Sequence, residues 1–180
     1  MRIKQENACT IVIDFQTGLM PSIDNQEAVE KRAAMFIKGC GILNIPIIVT
    51  QQYTRGLGET TDTIKEALGE FNWLEKTSFS CCGADGFMES LENSGKKDII
   101  LTGVEAHVCV MATALDLVEK GYNVYLLADC VSSRKAFDAE IALRRMEKAG
   151  VVITTAESAL FEMLLDAKHP LRKEISALVK

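Results

Sequence analysis

Apolar residues along this chain come in two patterns, and the patterns alternate. Strand-length blocks dominated by apolar residues occupy Cys9–Asp14, Ile47–Thr50, Asp98–Thr102, Val124–Ala128 and Val151–Thr154. Between them lie longer stretches with helical spacing. Gln26–Leu43, for example, brings Val29, Ala33, Phe36, Ile37, Cys40 and Leu43 onto one face. Pro46 bars that helix from continuing. Further helices are predicted over Thr63–Leu68, Asp85–Ser94, Cys109–Lys120, Asp138–Ala149, Glu157–Leu165 and Pro170–Leu178, with Gly95, Gly121 and Gly150 as stops. Phe71–Lys76 fits a short edge strand, and residues 52–72 form a longer connection rich in Gly and Thr. Strands that are continuous runs rather than alternating ones are buried on both faces, which implies a parallel sheet. Right-handed crossovers then give a three-layer, doubly wound α/β fold, with residues 1–180 as a single domain. In such a fold a ligand sits at the carboxyl ends of the strands, near the point where strand order reverses.

The residues at those ends are chemically unusual. Ile99–Thr102 reads as a buried strand, Gly103 as its break, and Cys109 as the opening of the next helix. A helix start favours a thiolate, because free N–H groups and the positive end of the macrodipole both stabilise the anion. The competing reading is a small buried apolar cysteine. Asp14 directly follows Ile11-Val12-Ile13, where an apolar setting tunes a carboxyl; the alternative is a helix or loop cap. Lys76 ends the predicted edge strand, and taken alone it reads as a solvated surface lysine. Together the three make a coherent set. A cysteine nucleophile needs a nearby cation and a proton acceptor, and an Asp–Lys–Cys group suits acyl transfer through a thioester.

Composition narrows the partners. The chain is 48% hydrophobic and 25% charged, with a net charge of −5. No Lys/Arg cluster offsets that charge, which argues against nucleic acid or a membrane surface as partner. No apolar run has the length of a membrane span. The first residues are short and polar and lead straight into a strand, so no signal peptide is expected. The six cysteines lack CxxC spacing, and they read as reduced thiols of a cytoplasmic protein.

At these residues the chain resembles the isochorismatase-like, or cysteine hydrolase, superfamily. The matching pieces are Ile11-Val12-Ile13-Asp14-Phe15-Gln16, Glu75-Lys76-Thr77-Ser78-Phe79-Ser80 and Gly103-Val104-Glu105-Ala106-His107-Val108-Cys109-Val110, with the later Asp129. Gln51 to Gly58 is most similar to the isochorismatase-domain-containing branch. The resemblance implies Asp14 as base and acid, Lys76 as supporting cation and Cys109 as nucleophile. It also implies a cis peptide between Val104 and Glu105, and an oxyanion hole made by the Glu105 and Cys109 N–H groups. The expected activity is hydrolysis of a C–N bond in a small amide or carbamoyl compound. Nicotinamidases of the family bind a metal with an Asp and two His after the second strand. Here Gln51, Gln52 and Tyr53 stand there, so neither metal nor cofactor is expected.

Phe15, Leu19, Tyr53, Trp73 and Phe79 could wall a small pocket. His107 could contact substrate or be a hydrogen-bonded loop histidine, and Asp129 could order its loop or cap a helix. The resemblance and the apolar run Met111–Val118 suggest a homo-oligomer. Two other functions stay open: a non-catalytic interaction scaffold, and a thiol redox sensor pairing Cys109 with Cys81 or Cys82.

Overall fold

The structure is a computed structural model that describes residues 2–180. Its strands are β1 (Ala8–Ile13), β2 (Ile47–Gln52), β3 (Trp73–Lys76), β4 (Asp98–Val104), β5 (Asn123–Ser132) and β6 (Val152–Thr154). They form one six-stranded sheet in the order β3-β2-β1-β4-β5-β6. Every pairing is parallel. The order reverses between β1 and β4, so the crevice of the doubly wound fold opens above these two central strands.

The helices are α1 (Gln26–Ile42), α2 (Thr54–Leu57), α3 (Asp62–Leu68), α4 (Phe87–Ser94), α5 (Met111–Glu119), α6 (Ala136–Lys148), α7 (Ala156–Leu164) and α8 (Arg172–Leu178). They cover both faces of the sheet. On one face α1, α3, α7 and α8 bury Phe36, Ile64, Leu160 and Ile175 against Ala8, Val12 and Ile100. On the other, α4, α5 and α6 bury Phe87, Leu91, Leu117 and Met146 against Cys9, Ile11, Ile13 and Leu101. Successive residues of β1 thus feed opposite layers, which is why its apolar run is unbroken. No helix of the described residues is long and apolar enough to cross a membrane.

Four departures from the sequence expectation affect the crevice. Gly103 does not end its strand: β4 continues to Val104, with a register shift against β5 between Leu101 and Gly103. Gly103 has φ +141°, and a Cβ there would lie 2.2 Å from the Ile13 carbonyl oxygen. Glycine lets β4 pass that close to β1 just below Asp14. Second, Cys109 does not open an α-helix. It lies in a wide π-turn, Ala106–Val110, that feeds α5. Third, a one-turn helix, α2, interrupts the connection after β2. Glu75 of β3 holds its start, accepting the Thr54 N–H at 2.8 Å and the Thr54 hydroxyl as well. Fourth, α5 is half covered within the chain, burying Thr113, Ala114 and Leu117. Large apolar side chains are exposed on α6, where Phe137 is 69% and Ile141 43% exposed, and also at Tyr53, Trp73, Phe79, Phe161 and Leu165.

Candidate active site

Four strand ends meet at the crevice. Ile13 pairs with Thr50 and with Gly103, and Gln52 pairs with Lys76. The next residue after β1, Asp14, takes a left-handed conformation with φ 54°. Aspartate tolerates this better than most residues, and it turns the carboxylate into the crevice. Its side chain is fully buried. The Thr50 hydroxyl donates to Oδ1 at 2.8 Å, and Lys76 Nζ stands 2.6 Å from Oδ2.

The ion pair has an unusual geometry. An ammonium has three hydrogens. Those of Lys76 are shared among four acceptors: Asp14 Oδ2 and Gln52 Oε1, each at 2.6 Å, the Phe79 carbonyl at 3.2 Å and the Ser78 carbonyl at 3.3 Å. Oδ2 of Asp14 is buried, and the Lys76 ammonium is its polar neighbour. Burial, the largest single influence, pulls the Lys76 pKa down, but the Asp14 charge, the Cys109 sulfur and the hydrogen bond to Asp14 together outweigh it, and the net shift is upward.

Cys109 keeps 6% of its surface exposed. Its sulfur lies 4.0 Å from Gln52 Oε1. The Glu105 carbonyl accepts from the Val108 and Val110 N–H groups, on either side of Cys109. The thiol pKa is pushed up to about 12, first by burial and then by the Asp14 charge, against a smaller lowering by Lys76. The preformed thiolate expected from a helix start is therefore corrected. In the free protein the thiol holds its proton, so activation requires an acceptor.

The Val104–Glu105 peptide is cis. The Glu105 carboxylate is held by Arg134, whose N–H and Nε donate to Oε2 at 2.9 and 3.1 Å. His107 lies in the π-turn and is hydrogen-bonded to the Ser133 hydroxyl: its Nδ1 is 2.8 Å from Ser133 Oγ, and its N–H donates to the same atom. It lines a cavity of about 240 Å³ with Met111, Phe137 and Ile141.

The proposed aromatic wall is only partly assembled. Tyr53 and Phe79 are exposed and tied to Lys76, which accepts the Tyr53 N–H through its carbonyl and donates to the Phe79 carbonyl. Phe15 is instead a core residue of the α1 face, and Leu19 packs against the same layer. Trp73 begins β3, at the opposite end from Lys76, and packs near Phe71. Asp129 is a cap, accepting the N–H of Ala156 at the start of α7 at 2.9 Å.

Sequence reasoning missed Gln52, Thr50 and Thr113. Thr113 accepts the Cys81 N–H at 2.9 Å and donates to the Cys109 carbonyl at 2.7 Å. Gln52 could have been found from its place: the last residue of β2, beside Lys76 in the sheet. All six cysteines are free. Cys81, fully buried and pushed up to about 12 by burial, is a poor redox thiol. Among the described residues no three His, Cys, Asp or Glu side chains converge as a metal site.

A doubly wound α/β domain with a thiol, a carboxylate and an ammonium gathered at its switch point defines the class of protein. The chain belongs to the isochorismatase family of hydrolases: residues 8–158 match the isochorismatase domain. It is 38% identical to isochorismatase domain-containing protein 2 of Danio rerio, covering 99% of this chain and 89% of that one. The structure of a MAR1 ribonuclease from Caenorhabditis elegans is 37% identical, with a TM-score of 0.94 over 99% of this chain and 92% of that one. The Escherichia coli YcaC product, an octameric hydrolase of unknown specificity, shares the fold at 22% identity, with a TM-score of 0.89 over 99% of this chain and 87% of that one.

Proposed function

We propose that the protein is a cysteine hydrolase that cleaves a C–N bond of a small amide or carbamoyl compound. The observation that carries this is the buried Asp14 carboxyl, paired with Lys76 at 2.6 Å and close enough to Cys109 to help hold the thiol protonated. Cys109 passes its proton to Asp14 as sulfur attacks the carbonyl carbon. The oxyanion is held by the N–H groups of Glu105 and Cys109. Collapse breaks the C–N bond, and Asp14 returns the proton to the leaving nitrogen. Water then gives a proton to Asp14 and attacks the thioester. As sulfur leaves, Asp14 protonates it, restoring the thiol and freeing the acid.

The small opening at Cys109 favours a small-molecule substrate. The name of the Caenorhabditis elegans protein points to RNA, but a net charge of −5 and an enclosed nucleophile weigh against a polyanionic substrate here. We also propose a homo-oligomer, supported by exposed Phe137 and Ile141 on α6 and by the octameric Escherichia coli relative. Light scattering at micromolar concentration should give a multiple of the monomer mass; the monomer mass itself would overturn that part. Six free thiols fit the reducing cytoplasm as location.

The test is mass spectrometry of protein incubated with a library of small amides and carbamoyl compounds. The expected result is an acyl adduct on Cys109 that decays in water and is absent in Cys109→Ala. Hydrolysis that persists in Cys109→Ala would overturn the mechanism. A Cys109 inert to every amide and to iodoacetamide would favour the scaffold reading, and a peroxide-induced disulfide to Cys81 or Cys82 the redox one.

A further inference from the structure

We propose that Thr113 is a positioning residue: its buried hydroxyl ties the turn that carries Cys109 to the segment that braces Lys76 and Asp14, and so fixes the nucleophile against its cation and base. The inference rests on the hydrolase reading above and adds a residue to it.

The bracing segment, residues 78–81, follows β3. Its Ser78 and Phe79 carbonyls accept from the Lys76 ammonium at 3.3 and 3.2 Å. Its last residue, fully buried Cys81, places sulfur 3.7 Å from Thr50 Oγ1, the hydroxyl that donates to Asp14 Oδ1. One short segment therefore touches the supports of both charged groups. Cys109 arrives by another path, after β4, and Thr113 makes the link. The Cys81 N–H donates to Thr113 Oγ1 at 2.9 Å, and the same hydroxyl donates to the Cys109 carbonyl at 2.7 Å. A second tie joins the segment to α5 further along, where Ser80 Oγ donates to Asp116 Oδ2 at 2.6 Å.

A hydroxyl has one hydrogen and two acceptor sites. A helical threonine that bonds the carbonyl four residues back is common, and it uses the hydrogen alone. Here the oxygen also accepts an N–H from 32 residues earlier, so both of its capacities are spent between the two segments. Thr113 is fully buried, so bulk solvent does not replace either partner. Without the oxygen, the turn bearing Cys109 is free to shift against Lys76 and Asp14. Misplacement by about 1 Å can slow a reaction about a hundredfold. The loss should fall on the rate of the bound complex, because the hydroxyl is spent on the protein's own backbone and not on substrate.

The experiment follows cleavage of p-nitrophenyl acetate, an activated ester open to a cysteine acyl-transfer centre, with Cys109→Ala as the blank. Thr113→Val keeps the branched shape and loses the oxygen; Thr113→Ser keeps the oxygen and loses the methyl. We expect Thr113→Val to lower kcat about ten- to a hundredfold with KM within about twofold, and Thr113→Ser to stay within about threefold of wild type. Amide hydrogen exchange at Cys81 reads the tie directly: it should quicken about tenfold in Thr113→Val and hold in Thr113→Ser. The inference is overturned if Thr113→Val matches wild type in kcat, if the two variants fall alike, if the loss lies in KM, or if Cys81 exchange is unchanged. If wild type is no faster than Cys109→Ala, the hydrolase reading fails instead, and Cys81 exchange still decides whether the tie holds. Should circular dichroism show that Thr113→Val does not fold, Thr113→Ala replaces it, since it differs from Thr113→Ser by the oxygen alone.

Discussion

The molecule holds two carboxylate–thiol pairs at the carboxyl side of its sheet, and they are built for different ends. Asp14 faces Cys109 at the switch point; Asp129 faces Cys130 on β5, with sulfur and Oδ1 3.7 Å apart. Both thiols are raised, first by burial and then by the neighbouring carboxylate. The differences lie in what surrounds them. Oδ1 of Asp129 is occupied by the N–H of Ala156, and Cys130 is fully buried. Asp14 has a lysine in contact and a thiol that still reaches the surface. A carboxylate beside a cysteine is thus not a reactive pair by itself. On the function proposed above, the cation and the opening at the thiol separate a catalytic arrangement from a helix cap.

The sharpest way to break this comparison is to neutralise each carboxylate. Asp14→Asn should lower turnover by about 10²–10⁴, the range for general acid–base catalysis, and Asp129→Asn should leave turnover unchanged. Cys109→Ala should match Asp14→Asn, and the double variant should be little worse than either, because the two act as a unit. Multiplicative losses, measured by kcat/KM on a common substrate, would place Asp14 outside the mechanism.

Lys76→Met is the next largest change. It leaves a buried carboxylate without its cation, which costs about 3–5 kcal/mol, and a urea midpoint should register it. A variant as stable as wild type would mean that Asp14 is not held as an ion in the folded protein.

Raising pH should sharpen the contrast between folded and unfolded thiols. Cys40, Cys81 and Cys109 have folded-state values of about 12 against an ordinary 9.0. The protonated form is favoured by folding, so above about pH 9 the unfolded chain releases thiol protons that the native chain retains. Stability should be level below pH 9 and fall between 9 and 12, by at most about 1.4 kcal/mol per pH unit for each such thiol. Cys40→Ala, distant from the crevice, should flatten that slope; stability that rises over this range would contradict the burial of these groups.

The smallest effect is at the cap. Asp129→Asn keeps an oxygen for Ala156 but loses its charge, so about 0.3–1 kcal/mol should go, detectable as a small fall in melting temperature. A larger loss, or any loss of turnover, would erase the distinction between the two pairs.

Much of the architecture was legible because the central strands are unbroken apolar runs, punctuated by Gly95, Gly121, Gly150 and Pro46. Asp14, Lys76 and Cys109 stood out because each is a reactive residue type at a strand end or just beyond one, and the structure places the ends of their strands together at the crevice. Gln52 was missed because a glutamine after a strand looks like any solvated loop residue until the sheet places it beside Lys76. The π-turn was missed because apolar periodicity records which side faces inward, not how widely the turn is wound. Trp73 was misplaced by nearness in sequence. Three residues of strand, at about 3.3 Å each, carry it roughly 10 Å from Lys76. β5 outran its predicted end because Asp129 and Ser132 are polar yet continue the strand.

Lys76 enters the crevice from β3, a four-residue strand at the edge of the sheet that pairs only with β2. Peripheral strands with few partners open more readily than a sheet's centre. The cation therefore sits on an edge of the scaffold, while Asp14 and Cys109 follow the two middle strands. Fraying of this edge disarms the centre without unfolding the domain. Gentle heating should accordingly abolish turnover reversibly, several degrees below the loss of helical circular dichroism, with amide exchange in residues 73–76 accelerating over the same interval.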